Sequence, residues 1–401
     1  MRAILVHLHR YAGLAMAGFL IIAGLTGSVL AFQSELDAWL NPRLFHVEGR
    51  WPALPPTTLV RQVETAIPGV RVTSIAPPAL MHDSAQIFIE NVDGTSPAAD
   101  NLFVDPATGT VLGGRLWGAA RVDAPHLIPF LYRLHYSLHI PGNWGNWLMG
   151  GIALAWMLDC VVGFYLTLPR GRPFWRKWRP IWRIKRSAGT YRLNLDLHRA
   201  SGLWLWPVLF VLALTSVAFN LNTEVFRPIL TTFLSTSPTI WDRPVPIDPP
   251  LARIDWDNAA RIAREEAAKR GWPAQSVQRI VFARAQGFYQ VRLGQAHAPG
   301  FGNPSVNVAS DSGHVLSIDE PGKGLAGDVV DGLIYPVHSG QVAGLPGRIL
   351  ICITGLVVAM LSMTGIIIWW KKRMPRIARR RAQREFTRTA FATAGKAHAA
   401  E

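Results

Sequence analysis

Four long apolar runs divide the chain into membrane-like and water-like parts. Each run is longer than the ~20 residues that an α-helix needs to cross a hydrocarbon core of ~30 Å. A single charged residue, Asp159, lies inside these runs, and Pro207 is expected to kink the third. The pattern therefore predicts four transmembrane helices, at Tyr11–Phe32, Asn143–Leu168, Ala200–Asn222 and Ile349–Trp370.

The two long stretches between these runs have the mixed periodicity of α+β domains. In residues 33–142 we expect a short helix capped by Thr57 or Thr58, followed by a strand at 84–91 and a hairpin at 103–112. The second stretch shows the same order, and its expected elements are a helix at 257–269, strands at 277–283 and 288–293, and a hairpin at 306–316. One α+β module is thus predicted to occur twice.

An internal repeat relates the two halves of the chain. The motif His9-Arg-Tyr-Ala-Gly-Leu opens the first apolar run, and His198-Arg-Ala-Ser-Gly-Leu opens the third. The same gapless offset carries Thr26 to Thr215. Because the first run matches an internal one, we expect it to be retained rather than removed as a signal peptide. The predicted fold is an α-helical membrane protein, with a four-helix transmembrane bundle built from a two-fold internal repeat and two α+β outer domains.

The net charge of +15 is concentrated in three segments. Residues 1–10, 169–199 and 371–401 hold more than half of the 41 Lys and Arg but few of the 26 acidic residues. By the positive-inside rule these segments face the cytoplasm, and the two long α+β stretches lie outside. The basicity is therefore a topology signal, and we expect no nucleic-acid partner.

The loop between the second and third runs is both basic and rich in tryptophan. Trp175, Trp178 and Trp182 are spaced to share a helical face, although Pro180 interrupts it. This composition favours attachment to a lipid surface, while a docking patch for an acidic electron donor is the alternative.

The chain has two cysteines, Cys160 and Cys352, and both lie in apolar runs. They predict no disulfide, and the absence of a Cys-x-x-Cys-His motif excludes a covalently attached c-type haem.

Four histidines occupy repeat-related positions at the predicted membrane edges. His9 and His198 open the first and third helices on the inner side. Tyr-Arg-Leu-His135 and Tyr-Pro-Val-His338 precede the second and fourth helices on the outer side. Since a helix bundle can supply one neutral imidazole from each of two helices to haem iron, we predict one bis-histidine haem b for each pair, two in all.

Four other polar residues near these histidines have roles that the sequence does not decide. Arg10 and Arg199 follow their histidines directly, where they can meet a haem propionate or a lipid phosphate. His139 lies four residues after His135 and would share its helical face, so it is the alternative ligand. Asp159 is either a structural acid or a proton-handling one, because intramembrane carboxyl groups serve both purposes.

These motifs, together with Val337-His338-Ser-Gly and Gly344-Leu-Pro-Gly-Arg348, resemble the PepSY-associated transmembrane family, which includes iron-regulated membrane proteins and FoxB-type siderophore reductases. The resemblance covers nearly the whole chain. It implies four spans in a bacterial inner membrane, two PepSY-like periplasmic domains and b-type haem. Carried over to this sequence, haem ligation falls on His9, His135, His198 and His338.

The resemblance further implies an enzyme, a haem-dependent oxidoreductase that reduces ferric siderophores in the periplasm and so releases iron. We expect a cytoplasmic flavoprotein or a quinol as electron donor, and no catalytic residue beyond the haems. Two other functions stay open. One is a haem-free PepSY protein that binds a periplasmic protease or signalling partner, and the other is a transporter or metal sensor that uses Asp159 and the outer histidines.

The predicted domains, in chain order, are transmembrane helix 1 (1–32), the first periplasmic PepSY-like domain (33–142), transmembrane helix 2 (143–168), a basic cytoplasmic loop (169–199), transmembrane helix 3 (200–222), the second periplasmic PepSY-like domain (223–348), transmembrane helix 4 (349–370) and a basic cytoplasmic tail (371–401).

Overall fold

The computed structural model describes residues 1–48, 52–187, 189–247, 250–272, 276–295 and 298–398, with side chains as far as residue 374. The α-helices are α1 (Arg2–Leu30), α2 (Gln33–Leu40), α3 (Pro42–Phe45), α4 (Pro56–Ala66), α5 (Ala124–Ser137), α6 (Trp144–Thr167), α7 (Phe174–Trp178), α8 (Thr190–Trp204), α9 (Trp206–Asn220), α10 (Arg227–Phe233), α11 (Trp256–Lys269), α12 (Ala326–His338) and α13 (Gly344–His398). The strands are β1 (Val70–Ala76), β2 (Ala85–Asn91), β3 (Asn101–Val104), β4 (Val111–Arg115), β5 (Val277–Ala283), β6 (Phe288–Leu293), β7 (Ser305–Ala309) and β8 (Val315–Asp319). Short 3-10 turns occur at Arg179–Trp182, Ile240–Asp242 and Gln341–Ala343, and a π turn at Asn222–Phe226.

Long apolar helices make this a helical membrane protein that also carries a β-sheet. Among the described residues, α1, α6 and the segment Gln341–Met374 are each long and apolar enough to cross a membrane. The helices α8 and α9 pass the same test as a pair, bent by 70°.

The bend between α8 and α9 differs from the predicted third helix. We expected a helix from Ala200 kinked at Pro207, but α8 begins at Thr190 and ends before Leu205. A proline inside a helix lacks an N–H and its ring clashes with the carbonyl four residues earlier, whereas the first helical turn tolerates it. The break therefore precedes Pro207 and leaves it at the start of α9.

One compact unit contains Met1–Leu25, Gly151–Leu214 and Thr354–Glu401. Its helices approach closely at small residues. A Cβ placed on Gly24 in α1 would lie 2.5 Å from the backbone oxygen of Gly355 in α13, so the two backbones touch there. The Arg2 guanidinium donates hydrogen bonds to the carbonyls of Leu166 and Leu168 at the end of α6, which satisfies acceptors that the helix leaves open.

The second unit contains Thr26–Gly150 and Thr215–Ile353, and its centre is an antiparallel sheet. The eight described strands follow the order β4-β3-β2-β1-β5-β6-β7-β8. The sequence predicted two separate modules and missed β1. In the structure β1 pairs with β5, with Ser74 opposite Val281 and Ile75 opposite Ile280, so both stretches form one sheet.

One face of this sheet carries a shared apolar core under α4 and α11. The core includes residues from both stretches, among them Val63, Ile75, Ile87, Ala263, Ile280 and Val291. Neither Thr57 nor Thr58 caps α4, because both lie inside the helix and its N-cap is Pro55, without a side-chain bond. The Thr57 N–H instead donates to the Asp257 carboxylate, and the Thr57 hydroxyl accepts from the Asp257 N–H, both at 3.2 Å. The first turns of α4 and α11 therefore each supply a hydrogen-bond acceptor to a backbone N–H of the other.

The opposite face of the sheet combines polar and aromatic side chains, and much of it is buried. Buried polar side chains there include Ser74, Asn101, Arg115, Ser305 and Asn307. Arg115 forms an ion pair with buried Asp37 at 2.8 Å, since a charge removed from water needs a partner.

Two short helices precede the second and fourth apolar runs. His135 lies in the last turn of α5 and His338 is the last residue of α12, so both precede the second and fourth apolar runs as predicted, but they lie on separate short helices that the sequence did not predict. Tight corners separate the elements. A Cβ on Gly340 would lie 2.4 Å from the Gly347 oxygen, and one on Gly145 would lie 2.2 Å from the Ser137 oxygen. Only glycine fits such close backbone approaches.

Candidate functional site

The structure brings the four repeat-related histidines together as two pairs. The ring centroids of His9 and His198 lie 6.1 Å apart, with 60° between the ring planes. Those of His135 and His338 lie 6.3 Å apart, at 67°. We call His9 and His198 the aspartate-linked pair, because Asp159 binds His9, and His135 and His338 the threonine-linked pair, because a threonine binds each ring.

In the aspartate-linked pair, His9 in α1 is held by a carboxylate from α6. Its Nδ1 donates to the two Asp159 carboxylate oxygens at 2.9 and 3.0 Å. The Asp159 side chain is 10% exposed, so this hydrogen bond is largely shielded from solvent. The sequence offered two roles for Asp159, and neither included a contact with His9.

The second ring of this pair is held by α13. His198 Nδ1 donates to the Leu361 carbonyl at 3.0 Å and lies 3.0 Å from the Thr364 hydroxyl. The offset that carries Gly163, beside His9, to Gly365, beside His198, also carries Asp159 to Leu361. A backbone carbonyl therefore meets one ring where a carboxylate meets the other.

In the threonine-linked pair, both rings bind hydroxyl groups through Nδ1. Thr26 Oγ1 lies 2.9 Å from His135 Nδ1, and Thr215 Oγ1 lies 2.8 Å from His338 Nδ1. Both threonines are buried. They also occupy the positions that the gapless offset aligns, a signal that sequence reasoning noted without assigning a role. The Phe219 ring packs edge-on against His338 at 5.2 Å.

Glycines lie against three of the four rings. A Cβ on Gly163 would be 3.5 Å from His9 Cε1, and one on Gly365 would be 3.4 Å from His198 Cε1. A Cβ on Gly27 would be 3.0 Å from His135 Cε1, which is tighter than ordinary contact. These positions therefore leave room for the rings that a larger side chain would fill.

The premise that His139 shares a helical face with His135 is wrong. The helix α5 ends at Ser137, and both Leu138 and His139 have positive φ, 54° and 58°. His139 Nε2 donates to the Phe130 carbonyl at 2.9 Å, and the two rings stack. The tight corner before α6 turns this histidine back onto α5.

Arg199 and Arg10, which follow His198 and His9, differ in whether a carboxylate of the chain pairs with them. Arg199 pairs with buried Asp196 at 2.6 Å, and Arg192 binds the same carboxylate at 3.0 Å. Arg10 is half-buried and makes no ion pair with any residue in the described ranges. The charge of Arg199 is thus already matched within the chain, whereas that of Arg10 is available to an anionic group.

Each pair has the spacing that a metal bound between two imidazoles requires. A metal–nitrogen bond of roughly 2 Å, plus about 1 Å from the nitrogen to the ring centre, places two such centroids about 6 Å apart. Metal-bound histidines also characteristically donate their second ring nitrogen to a protein acceptor, and all four rings make a hydrogen bond through Nδ1. The residues therefore fit a bis-histidine haem.

A different kind of metal site finds no support in the described side chains. They contain no group of three or more His, Cys, Asp or Glu residues that could hold an ion. His126 is hydrogen-bonded to Asp123 through Nδ1 and does not join His139.

Comparison with models of protein families agrees with the resemblance found in the motifs, although no curated protein sequence matches the chain. The family model described as the PepSY-associated TM region matches residues 6–372, a range that includes all four paired histidines. The chain is therefore a membrane protein that belongs to the PepSY-associated transmembrane family.

Proposed function

We propose that this protein carries two b-type haems, one in each histidine pair, and conducts electrons across a bacterial inner membrane to reduce ferric siderophores in the periplasm. The observation that carries the proposal is the repeated geometry of the two pairs. Both have centroid distances near 6 Å, and every ring has its Nδ1 engaged.

The proposed topology places both termini and the basic loop in the cytoplasm. In it, α8 and α9 form one bent span, which with α1, α6 and α13 makes a four-helix bundle with a two-fold internal repeat. The aspartate-linked pair then faces the cytoplasmic donor, a flavoprotein or a quinol, and the threonine-linked pair faces the periplasm. The excess of Lys and Arg in the three cytoplasmic segments supports this orientation.

The residues of the chain have distinct tasks in this proposal. Four imidazoles would hold the two haem irons, and the acceptors on Nδ1 would orient the rings and set their basicity. Arg10, which is half-buried and directly follows His9, would pair with a propionate. When bound, haem b would supply reversible one-electron transfer. The ferric substrate gains one electron, and the ferrous ion formed is weakly held by its chelator.

The test is a reduced-minus-oxidised absorption spectrum of the detergent-purified protein, with haem counted per chain. Wild type should hold two b-type haems. The substitutions His9→Ala, His198→Ala, His135→Ala and His338→Ala should each remove one haem. His7→Ala is the matched control, because His7 is exposed, contacts the Ala3 carbonyl and the Tyr11 ring, and belongs to neither pair.

The second half of the test concerns the substrate. The reduced protein should be reoxidised by a ferric siderophore, with ferrous iron appearing in a colorimetric trap. A colourless protein, fully expressed with haem supplied, would overturn the proposal and favour a haem-free PepSY protein that binds a protease or signalling partner. Two haems that a ferric siderophore does not reoxidise would support electron transfer by the protein but exclude the ferric siderophore as its substrate.

A further inference from the structure

Two arginines lie directly opposite each other on the face of the sheet that points away from its apolar core. Arg279 in β5 pairs with Arg292 in β6 in the strand register. Like charges at directly opposed positions destabilise a sheet. Neither guanidinium forms an ion pair with any residue in the described ranges, so no carboxylate among these residues offsets the repulsion.

The surroundings of Arg279 are neutral and aromatic. One of its nitrogens donates to the Ser74 hydroxyl at 3.3 Å, and its guanidinium carbon lies 5.5 Å from the centre of the Phe88 ring. Burial and the charge of Arg292 together lower the pKa of Arg279. An anion at this place would relieve both costs.

Asp319 is the nearest acidic residue in the row of paired strand residues that contains Arg279 and Arg292, and it is already hydrogen-bonded. Arg292 is opposite Ser305, which is opposite Asp319. The Asp319 carboxylate accepts hydrogen bonds from Ser305 Oγ at 2.9 Å and from Asn307 Nδ2 at 3.0 Å. It is thus satisfied by neutral donors.

Aromatic side chains connect the arginine pair to the helix of His135. The Phe88 ring contacts Trp117 at 6.1 Å, and Trp117 contacts Tyr132 at 6.1 Å. Tyr132 lies one turn before His135 in α5. Trp117 and Tyr132 are 36% and 38% exposed, so a ligand can reach them.

We propose that Arg279 and Arg292, with Phe88 and Trp117, form the binding site for a ferric chelate of net negative charge. Guanidinium groups match carboxylate and catecholate oxygens in geometry and charge, and the aromatic rings pack against the body of the chelate. The choice of a ferric chelate rests on the proposed function. One electron from the donor reduces Fe(III) to Fe(II) in the bound chelate, and no covalent bond of the protein forms or breaks.

The experiment measures binding without electron transfer. Ga(III)–citrate, a redox-inert anionic stand-in, is titrated into the full-length purified protein by calorimetry, and haem is counted in the same samples. Arg279→Gln with Arg292→Gln should weaken binding at least tenfold, while Arg279→Lys with Arg292→Lys should retain most of it. The charge-matched control is Arg253→Gln with Arg264→Gln, two exposed arginines with no ion pair among described residues, which should bind as wild type does.

Several outcomes separate this site from the reductase proposal. Equal affinity of the Arg279/Arg292 variant and its control would overturn the site. So would binding of anionic lipid, rather than Ga(III)–citrate, that depends on these arginines. The single variant Arg292→Gln keeps the test valid if the double variant misfolds, because Arg292 is exposed and makes no side-chain hydrogen bond with a described residue. Arginine-dependent binding by a haem-free protein would support the site and reject electron transfer.

Discussion

The aspartate-linked and threonine-linked pairs hold their imidazoles at nearly the same separation, 6.1 and 6.3 Å, but with different acceptors. Asp159 places a carboxylate on His9, whereas Thr26 and Thr215 place neutral hydroxyls on His135 and His338. A carboxylate acceptor makes an imidazole a stronger donor to a metal than a hydroxyl does. If each pair holds a haem as proposed, this difference in acceptors would give the two haems different electron affinities.

The pairs also differ in how tightly the backbone confines the rings. A Cβ placed on Gly163 or Gly365 would meet the His9 or His198 ring at an ordinary contact distance, 3.5 or 3.4 Å. A Cβ placed on Gly27 would lie only 3.0 Å from the His135 ring. The threonine-linked pair should therefore be the more sensitive to added bulk.

The largest expected effect comes from bulk at Gly27. Gly27→Val should displace the His135 ring, because its Cβ alone would lie 3.0 Å from Cε1. We expect loss of one haem per chain, with the aspartate-linked haem retained, measured by absorption spectra and haem counts. Gly18→Val in the same helix is the control, since a Cβ there meets nothing within 4 Å. Retention of both haems in Gly27→Val would show that the ring is not confined as the distance indicates.

A smaller, selective effect should follow from removing the charge on Asp159. Asp159→Asn keeps the side-chain shape but weakens the acceptor for His9 Nδ1, so the ferric iron of the proposed haem would lose stabilisation. We expect the midpoint potential of one haem to rise by about 59 mV or more, a tenfold change in a one-electron equilibrium. Potentiometric titration would show this, and Thr215→Val should leave that haem unchanged. Equal shifts in both haems would contradict a local role for Asp159.

The smallest effects should come from the two threonines. Thr26→Val and Thr215→Val each remove a neutral hydrogen bond, worth about 1 kcal/mol, and conserve side-chain volume. Haem should leave the threonine-linked pair roughly fivefold faster in either variant, an increase matching that free energy. Transfer to an excess of apomyoglobin measures the rate. If the two substitutions change the rate of haem loss by markedly different factors, then Thr26 and Thr215 do not hold their histidines equivalently, contrary to what the equal hydrogen-bond distances indicate.

Local patterns were sufficient for much of the architecture. Runs of apolar residues predicted the membrane-like helices, and period-two alternation predicted β5 and β6 at the residues where they occur. The motifs around the four histidines were sufficient for the family. Short-range pattern works here because helix length and strand alternation are properties of neighbouring residues.

Helix ends were harder to predict. The start of α8 at Thr190 and the separate helices α5 and α12 were not anticipated, because apolar composition marks the part of a helix in lipid and not its polar extension. The error over His139 has the same origin, since two residues of positive φ end α5 before it.

The sequence by itself determined the long apolar helices, the repeat-related positions of the four histidines and the alignment of Thr26 with Thr215. Tertiary structure decided which group meets each Nδ1, that β1 joins β5, and that Arg279 opposes Arg292. These contacts join residues far apart in the chain, and their geometry follows from how helices and strands pack. Contacts of that kind produce no periodic pattern in the sequence. The Asp159 carboxylate therefore meets His9 only when α1 and α6 pack together.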